Sequence, residues 1–293
     1  MLWKLRAWTP YVYLVPSLIL LGAFTYYPIW RSVYLSFFEW NLFSPRPVYA
    51  GLANYEYLLS DPTFRLVMRN TLVYVAVTIP ITMALALITA VLLNERLGWL
   101  RDVYRVAAFY PTMVPMAAAG MLWVLLLNPS IGLVNHYLSY LGIGRIDWLY
   151  DMNWALPAIM LASVWKNYGY FMLIYLAGLQ NIPGSLYEAA DIEGAGFWHK
   201  LRYVTLPLVA PTTVFVFVVA IISSFQVFDL VYVMTQGGPG DRTNVLMYFI
   251  YQYAFRFGDW GMGSALTVLF VGALLVVILL VMRMVERRVH YEV

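Results

Sequence analysis

The segment NIPGSLYEAADIEGAGFWHKLRYVTLP, residues 181–207, lies between two long apolar runs and combines charged residues with glycines. Ser185 followed three residues later by Glu188 fits a capping box, in which a hydroxyl and a carboxylate satisfy the free amides at a helix start. The residues from Leu186 to Ile192 then form about two helical turns. A short helix is therefore predicted in a polar connection between two apolar stretches.

Two glycines separate this helix from a second one. Gly194 and Gly196 are predicted to end the first helix, because glycine enters the left-handed region at little cost. Residues 197–204 place apolar side chains at helical spacing, and Pro207 ends this second piece. Residues 181–207, hereafter the elbow, have a shape that suits a socket on another protein. A capped turn that only connects two spans is the alternative.

The composition indicates a membrane protein. Of the 293 residues, 62% are hydrophobic and 11% are charged, whereas about a quarter of the residues in a soluble domain are charged. The chain has no cysteine, which excludes disulfides, thiolate metal sites and cysteine nucleophiles. Its three histidines are too far apart for a metal site, and no catalytic cluster or bound cofactor is expected. The net charge of +3 does not indicate a nucleic-acid partner.

Six apolar stretches are long enough to cross a hydrocarbon core of about 30 Å as helices. They are Tyr11–Trp30, Asn70–Leu93, Tyr104–Leu127, Ala155–Leu179, Leu208–Val233 and Gly263–Val285. Lys4 and Arg6 precede the first stretch as in a signal peptide, but it is too long and lacks a cleavage site. The sequence therefore predicts an all-α integral membrane protein with about six transmembrane helices and a retained first span.

Basic residues between the stretches predict the orientation. Ten lie in the segments on the side of the amino terminus and seven on the other side, which places both termini and the elbow in the cytoplasm. We divide the chain into three parts: the first span with its outer connection (1–69), a core of five spans that includes the elbow (70–285), and a cytoplasmic tail (286–293).

The elbow resembles the EAA loop in the membrane subunits of binding-protein-dependent ABC importers. That pattern has Glu-Ala-Ala, three residues, Gly, nine residues, a β-branched residue, one residue and Leu-Pro. Here it falls on Glu188, Ala189, Ala190, Gly194, Val204, Leu206 and Pro207. Val204 replaces the usual isoleucine, and Glu193 replaces the aspartate usual in the carbohydrate branch.

The resemblance implies that the elbow docks as a coupling helix on an ATP-hydrolysing subunit. The residues implied in this coupling are Ser185, Glu188, Ala189, Ala190, Asp191, Gly194, Ala195, Gly196, Leu206 and Pro207. The chain lacks a nucleotide-binding motif, so ATP and Mg are expected on the partner subunits and the chain itself is expected not to be an enzyme.

The resemblance further implies a permease of the carbohydrate branch in the inner membrane of a bacterium or archaeon. The expected partners are a second permease, usually a different chain, two ATPase subunits and an extracytoplasmic substrate-binding protein. The expected solute is a sugar, an oligosaccharide or a related polyol such as glycerol 3-phosphate. The competing class is an ion-coupled secondary transporter, which usually has internal repeats and buried carboxylates that this sequence does not display.

One predicted span has an unusually polar middle. The sequence SVWKNYGYF contains Lys166, Asn167, Tyr168 and Tyr170, and a lysine at the centre of a span must face a partner or a wet cavity. Amides, hydroxyls and aromatic faces are the groups that a sugar site needs. The alternative is that Lys166 has a structural or gating role.

The span before the last one also contains polar residues. Ser223, Ser224, Gln226 and Asp229 lie in IISSFQVFDLVY, and the first, third and fourth advance by threes and stay roughly on one side of a helix. They are predicted to line a pathway or to form hydrogen bonds at a subunit interface. A pairing of Asp229 with Lys166 is a further hypothesis.

Two other features allow more than one interpretation. The sequence QGGPGDRT, residues 236–243, imitates a phosphate-binding loop but has no lysine and no preceding strand, so an outer turn is predicted, with contact to the binding protein as one possibility. Pro111 and Pro115 predict a kinked helix that either lines a pathway or only adjusts packing.

Overall fold

A computed structural model of the chain describes residues 2–94 and 100–286. The elements in chain order are α1 (Leu2–Leu21), α2 (Tyr27–Leu35), β1 (Phe38–Glu39), β2 (Val48–Tyr49), α3 (Ala53–Ser60), α4 (Pro62–Asn94), α5 (Leu100–Met113), α6 (Met116–Leu126), α7 (Leu133–Tyr140), α8 (Ala155–Gln180), α9 (Gly184–Ile192), α10 (Phe197–Lys200), α11 (Leu206–Leu208), α12 (Ala210–Phe225), α13 (Asp229–Met234), α14 (Leu246–Tyr251) and α15 (Trp260–Glu286). Segments of π-helix occupy Gly22–Tyr26, Leu201–Thr205 and Gln252–Arg256. The predicted all-α class is confirmed, with a single two-stranded hairpin among the described residues.

Four helical stretches within the described residues are both long and apolar enough to cross a membrane. They are Tyr13–Leu35, Pro62–Asn94, Ala210–Met234 and Trp260–Arg283. The pair α5 and α6 adds a fifth if it forms one broken span. Helix α8 has 26 residues, but its polar middle around Lys166 and Asn167 makes it less apolar than these stretches. The structure thus supports four or five of the six predicted spans, and the sixth, α8, stays a prediction.

The predicted span Tyr104–Leu127 is broken rather than kinked. Helix α5 ends at Met113, α6 begins at Met116, and the two axes differ by 101°. Pro115 has no amide to continue the helix and disfavours the helical conformation of the residue before it. Its own backbone is extended, with φ −54° and ψ 142°. Pro111, by contrast, is accommodated inside α5.

The described residues divide into two compact units, and the larger one comprises Pro62–Tyr248 and the residues from Leu274. In this unit α4 and α8 pack along each other, and α5 and α12 pack against α8. Glycine allows the closest approach: a Cβ on Gly169 of α8 would overlap the backbone carbonyl of Ala108 on α5. Gly120 on α6 lies against Val233, so α6 packs on α13. The core thus contains two interrupted helices beside the long helices α4 and α8.

The smaller unit contains the residues up to Asp61 together with Phe249–Ala273. The β1–β2 hairpin is held by Asn54, whose Nδ2 donates to the carbonyls of Ser36 at 2.9 Å and Phe38 at 3.0 Å. The ring centroids of Trp40 and Trp260 lie 4.7 Å apart. The most apolar part of the Tyr13–Leu35 stretch is entirely unburied in the chain, as expected for a helix that faces lipid.

The predicted boundaries at residues 69 and 285 stay predictions. All but the first residue of the predicted tail 286–293 lie outside the described residues.

Candidate functional site

The first helix of the elbow begins earlier than predicted. Helix α9 starts at Gly184, its N-cap is Pro183, and no side chain caps it. Ser185 therefore lies inside the first turn, and the predicted capping box with Glu188 is wrong. The physical reason is that Pro183 has a fixed φ and needs no amide partner, so it takes the boundary position before Ser185 is reached.

Gly194 ends this helix in the predicted way. Its φ is +77°, the Ala195 amide donates to the Ala190 carbonyl at 2.9 Å, and the Gly194 amide donates to the Asp191 carbonyl at 3.0 Å. These two bonds form a Schellman motif, which requires a residue in the left-handed region. Gly196 is different, because it adopts φ −72° and ψ 171° and serves as the N-cap of α10. Only one of the two glycines is thus needed for a left-handed turn.

The two arms of the elbow are connected by side-chain hydrogen bonds. Lys200 Nζ lies 2.8 Å from Asp191 Oδ1, and Tyr187 Oη lies 3.0 Å from Thr205 Oγ1. The second arm is helical over 197–204 as predicted, but α10 passes into the π-helical segment Leu201–Thr205, and Pro207 lies within α11 rather than ending the helix. The Lys200–Asp191 pair is partly exposed and so adds little stability, but both contacts fix the angle between the arms.

The elbow exposes large apolar side chains. Ile192 is 88% exposed and Trp198 is 76% exposed, and they lie on either side of Gly194. Most residues implied in coupling are exposed as well, namely Ser185, Glu188, Ala189, Asp191, Gly194, Gly196, Leu206 and Pro207, while Ala190 and Ala195 are half-buried. We interpret these exposed apolar side chains as a contact surface for another protein or for lipid.

A second feature is a polar cavity in the larger unit, formed by α4, α8, α12 and the interruption between α12 and α13. Five of the predicted pathway residues line it: Asn167, Ser223, Ser224, Gln226 and Asp229. Lys166, Tyr168 and Tyr170 are not among its lining residues. The structure therefore brings two separate polar sequences together at one place, and contact of these residues with a solute stays a prediction.

Hydrogen bonds organise one wall of this cavity. Tyr74 Oη donates to Ser163 Oγ at 2.6 Å, and Asn167 Nδ2 donates to the Ser163 carbonyl at 2.8 Å and to Ser163 Oγ at 3.3 Å. Because Ser163 Oγ accepts these bonds, its own proton is left to donate. Thr82 is only 5% exposed and lines the cavity, and its hydroxyl has no hydrogen-bond partner in the described part of the chain. The wall thus presents both donors and acceptors.

Comparison with known proteins identifies the family. Residues 84–291 match the model of the binding-protein-dependent transport system inner membrane component. The chain belongs to this family. This permease is 38% identical over 256 residues to the sulfoquinovosyl glycerol transport system permease protein SmoG of Agrobacterium fabrum, which covers 87% of this chain and 83% of the relative. It is 36% identical over 259 residues to the trehalose/maltose transport system permease protein MalF of Thermococcus litoralis, covering 88% and 87%.

A solved structure agrees with this assignment. A chain from the crystal structure of a bacterial ABC transporter that imports the acidic polysaccharide alginate matches this permease with a TM-score of 0.85 and 25% identity, over 99% of both chains. The family and the several apolar helices make the chain a multi-pass membrane permease subunit rather than an enzyme.

In this permease Lys166 connects α8 to the broken end of α5. Its Nζ donates to the Thr112 carbonyl at 2.8 Å, and Thr112 Oγ1 donates to the Lys166 carbonyl at 3.2 Å. The break at Pro115 leaves the last carbonyls of α5 without helical amides, and a cation is favourable at that end of a helix. The hypothesis of a Lys166–Asp229 pair is wrong, because neither residue takes part in an ion pair within the described ranges.

Sequence reasoning missed four hydroxyl-bearing residues of the cavity wall. They are Tyr74, Thr78, Thr82 and Ser163. The first three recur every four residues in an otherwise apolar span, a spacing that places them on one face of α4. That periodicity was the available signal. Ser163 gave no comparable signal, because its role depends on the contact with Tyr74 on another helix.

The loop that imitates a phosphate site uses its amides internally. The amides of Gly238, Arg242 and Thr243 donate to the carbonyls of Thr235, Pro239 and Gly237. Amides that are already paired cannot cradle a phosphate. The loop is therefore a structured turn, and its contact with a binding protein stays a prediction.

Proposed function

We propose that this permease forms half of the translocation pathway of an ATP-driven importer for a sugar, an oligosaccharide or a related polyol such as glycerol 3-phosphate. The observation that carries this proposal is the elbow, whose braced arms expose Ile192 and Trp198 in a chain of this family. The relationship to the sulfoquinovosyl glycerol and trehalose/maltose permease proteins supports the solute class.

The proposed assembly contains a second permease of different sequence, two ATPase subunits that hold ATP and Mg, and an extracytoplasmic substrate-binding protein. The permease lies in the bilayer of a bacterial or archaeal inner membrane and binds no nucleotide or nucleic acid itself. Its termini and elbow lie in the cytoplasm, where the ATPase subunits are. The exposed Glu188 and the exposed apolar side chains of the elbow meet a groove on one ATPase subunit.

The elbow is placed to transmit force to the cavity. It connects α8 directly to α12, and these helices supply Asn167, Ser223 and Ser224 to the cavity wall. When ATP closes the ATPase dimer, the elbow moves as a unit, because the Lys200–Asp191 and Tyr187–Thr205 contacts fix its angle. The two helices then shift and open the cavity to the opposite side. Nucleotide drives this change through its different affinity for the two states.

The cavity has the chemistry of a sugar site. Its hydroxyl and amide groups match the hydroxyls of a carbohydrate, and Phe171 and Phe228 offer apolar surface for the C–H face of a ring. The second permease supplies the other half of the pathway.

Substitutions at Gly194 test the elbow in the assembled transporter. Gly194→Pro cannot adopt φ +77° and loses the amide that bonds Asp191, so ATP-driven uptake should fall at least about tenfold. Gly194→Asn should have a smaller effect, because asparagine tolerates the left-handed region. Glu188→Lys, which reverses an exposed charge, should also uncouple ATP hydrolysis from uptake. Gly184→Ala is the matched control, since open space surrounds a Cβ there.

The measurements are solute uptake and ATP turnover in proteoliposomes with the binding protein present, together with the amount of inserted permease. Normal uptake by both Gly194→Pro and Glu188→Lys contradicts the coupling role of the elbow. Uptake by the permease alone, driven by an ion gradient, indicates instead a secondary transporter.

A further inference from the structure

The cavity between α4, α8 and α12 contains one charged side chain. Among its lining residues Asp229 is the only acid or base, and the others are apolar, hydroxyl or amide residues. Asp229 is exposed and follows the interruption between α12 and α13. Its carboxylate has no hydrogen bond and no ion pair with any residue that the structure describes. The cavity wall thus carries a negative charge that pairs with no basic side chain among the described residues.

The lysine closest in sequence to the cavity wall does not neutralise this charge. Lys166 precedes Asn167, which lines the cavity, but its own Nζ donates to the Thr112 carbonyl and the residue is 6% exposed. The ammonium is therefore bound to the end of α5, and Lys166 does not line the cavity. An anion in the cavity would meet the Asp229 carboxylate, and no basic side chain that the structure describes lines this wall to attract the anion.

The neutral groups of the wall suit uncharged hydroxyls. Ser163 has a proton to donate, and Thr82 and Ser224 have hydroxyls without a hydrogen-bond partner among the described residues. A carboxylate accepts hydrogen bonds from sugar hydroxyls and strengthens them by its charge. The same carboxylate disfavours a phosphate, sulfonate or uronate, because like charges repel each other at short distance.

We propose that Asp229 selects against anions in this half of the pathway, so that the solute is an uncharged sugar, oligosaccharide or polyol. This inference rests on the proposed function and narrows its solute class. It removes glycerol 3-phosphate and other anionic cargo from that class. Asp229 acts as a specificity residue that accepts a hydroxyl of the neutral solute and repels an acidic one.

The absence of cysteine from the chain allows a direct test in the assembled transporter. Ser224→Cys places a single thiol of nearly the original size in the cavity wall. Its reaction rates are measured with two methanethiosulfonate reagents, one carrying a trimethylammonium group and one a sulfonate. Ser130→Cys, in the exposed part of the loop after α6, provides the reference ratio of the two rates. Asp229→Asn is then added to each cysteine variant, and Asp147→Asn, which removes an exposed charge elsewhere, is the matched control.

The quantity compared is the rate with the cationic reagent divided by the rate with the anionic one at Ser224→Cys, normalised to the same ratio at Ser130→Cys. We expect this normalised ratio to fall about tenfold when Asp229→Asn is added, which is equivalent to about 1.4 kcal/mol. Asp147→Asn should leave it unchanged. A ratio that Asp229→Asn does not alter overturns the inference but leaves the pathway intact. A thiol that reacts with neither reagent in any nucleotide state overturns the proposed pathway itself.

The solute retained by the companion binding protein gives an independent readout. A neutral glycan supports the inference. A phosphorylated, sulfonated or uronic ligand that the wild-type transporter takes up overturns it.

Discussion

Lys166 is a residue whose contacts favour a positioning role within the fold. A lysine in a span is costly unless it has a partner, and here the partner is a carbonyl that a broken helix leaves free. The bond from Thr112 Oγ1 to the Lys166 carbonyl makes the connection reciprocal. Lys166 thus holds the carboxyl end of α5 against α8, directly before the 101° bend.

Replacement of Lys166 tests this role. Lys166→Met leaves the carbonyl of the half-buried Thr112 without its donor, which costs about 1–3 kcal/mol. We expect a lower thermal unfolding temperature and a wider range of angles between α5 and α6, while Lys166→Arg should retain both properties because it keeps a cationic donor.

The angle can be measured by spin-label distances between cysteines introduced at the exposed residues Val103 and Leu122. If Lys166→Met has the same distance distribution and the same melting temperature as the wild type, the contact between Lys166 and Thr112 does not position α5.

At the scale of elements, a loop is fastened to the start of a long helix. Asn70 Nδ2 donates to the carbonyls of Asp241 at 2.8 Å and Asn244 at 3.0 Å. The amide of Leu246 donates to Thr71 Oγ1 at 2.9 Å. The turn that precedes α14 therefore has a defined place on α4, although glycine makes its backbone intrinsically flexible.

Asn70→Ala should release this loop. The substitution leaves two backbone carbonyls without their donor, which we expect to lower the free energy of local unfolding by about 1–3 kcal/mol. Hydrogen exchange of the amides from 241 to 246 should accelerate by about tenfold or more.

Asn153→Ala is the control, because that exposed side chain makes no hydrogen bond among the described residues. Equal exchange in both variants would mean that α4 does not hold the loop.

For the whole molecule, the orientation in the membrane decides whether the elbow can meet an ATPase. The distribution of basic residues predicts that the elbow lies inside and the loop after α6 outside. The chain folds these two segments at opposite ends of α8: the loop precedes Ala155 and the elbow follows Gln180.

Single cysteines at Ser185 and Ser130 test this orientation. A membrane-impermeant thiol reagent should label Ser130→Cys in intact cells or spheroplasts, and Ser185→Cys only in inverted vesicles, because the proposed topology has the two sites on opposite sides of the membrane. The cysteine-free parent chain supplies the background. Labelling of both sites from one side would contradict the proposed topology and, with it, the proposed contact to a cytoplasmic ATPase.

The sequence alone was sufficient for features that depend on local chemistry or on composition. The low charge and high apolar content establish the membrane class, and the spacing from Glu188 to Pro207 identifies the family before any fold is known. The left-handed Gly194 was predictable too, because a helix that ends in a Schellman motif needs glycine at that position. These properties are set by residues close together in the chain.

Only the tertiary structure decided which polar residues from different helices contact each other. Lys166 is the neighbour of Asn167, which lines the cavity. Nevertheless, packing of α8 against α5 brings the Lys166 side chain to Thr112, 54 residues earlier in the chain. The bond between Tyr74 and Ser163 joins residues 89 positions apart. The reason is physical: periodicity tells which side chains share a helix face, whereas the partner of each face depends on how complete helices pack and where Pro115 breaks one of them.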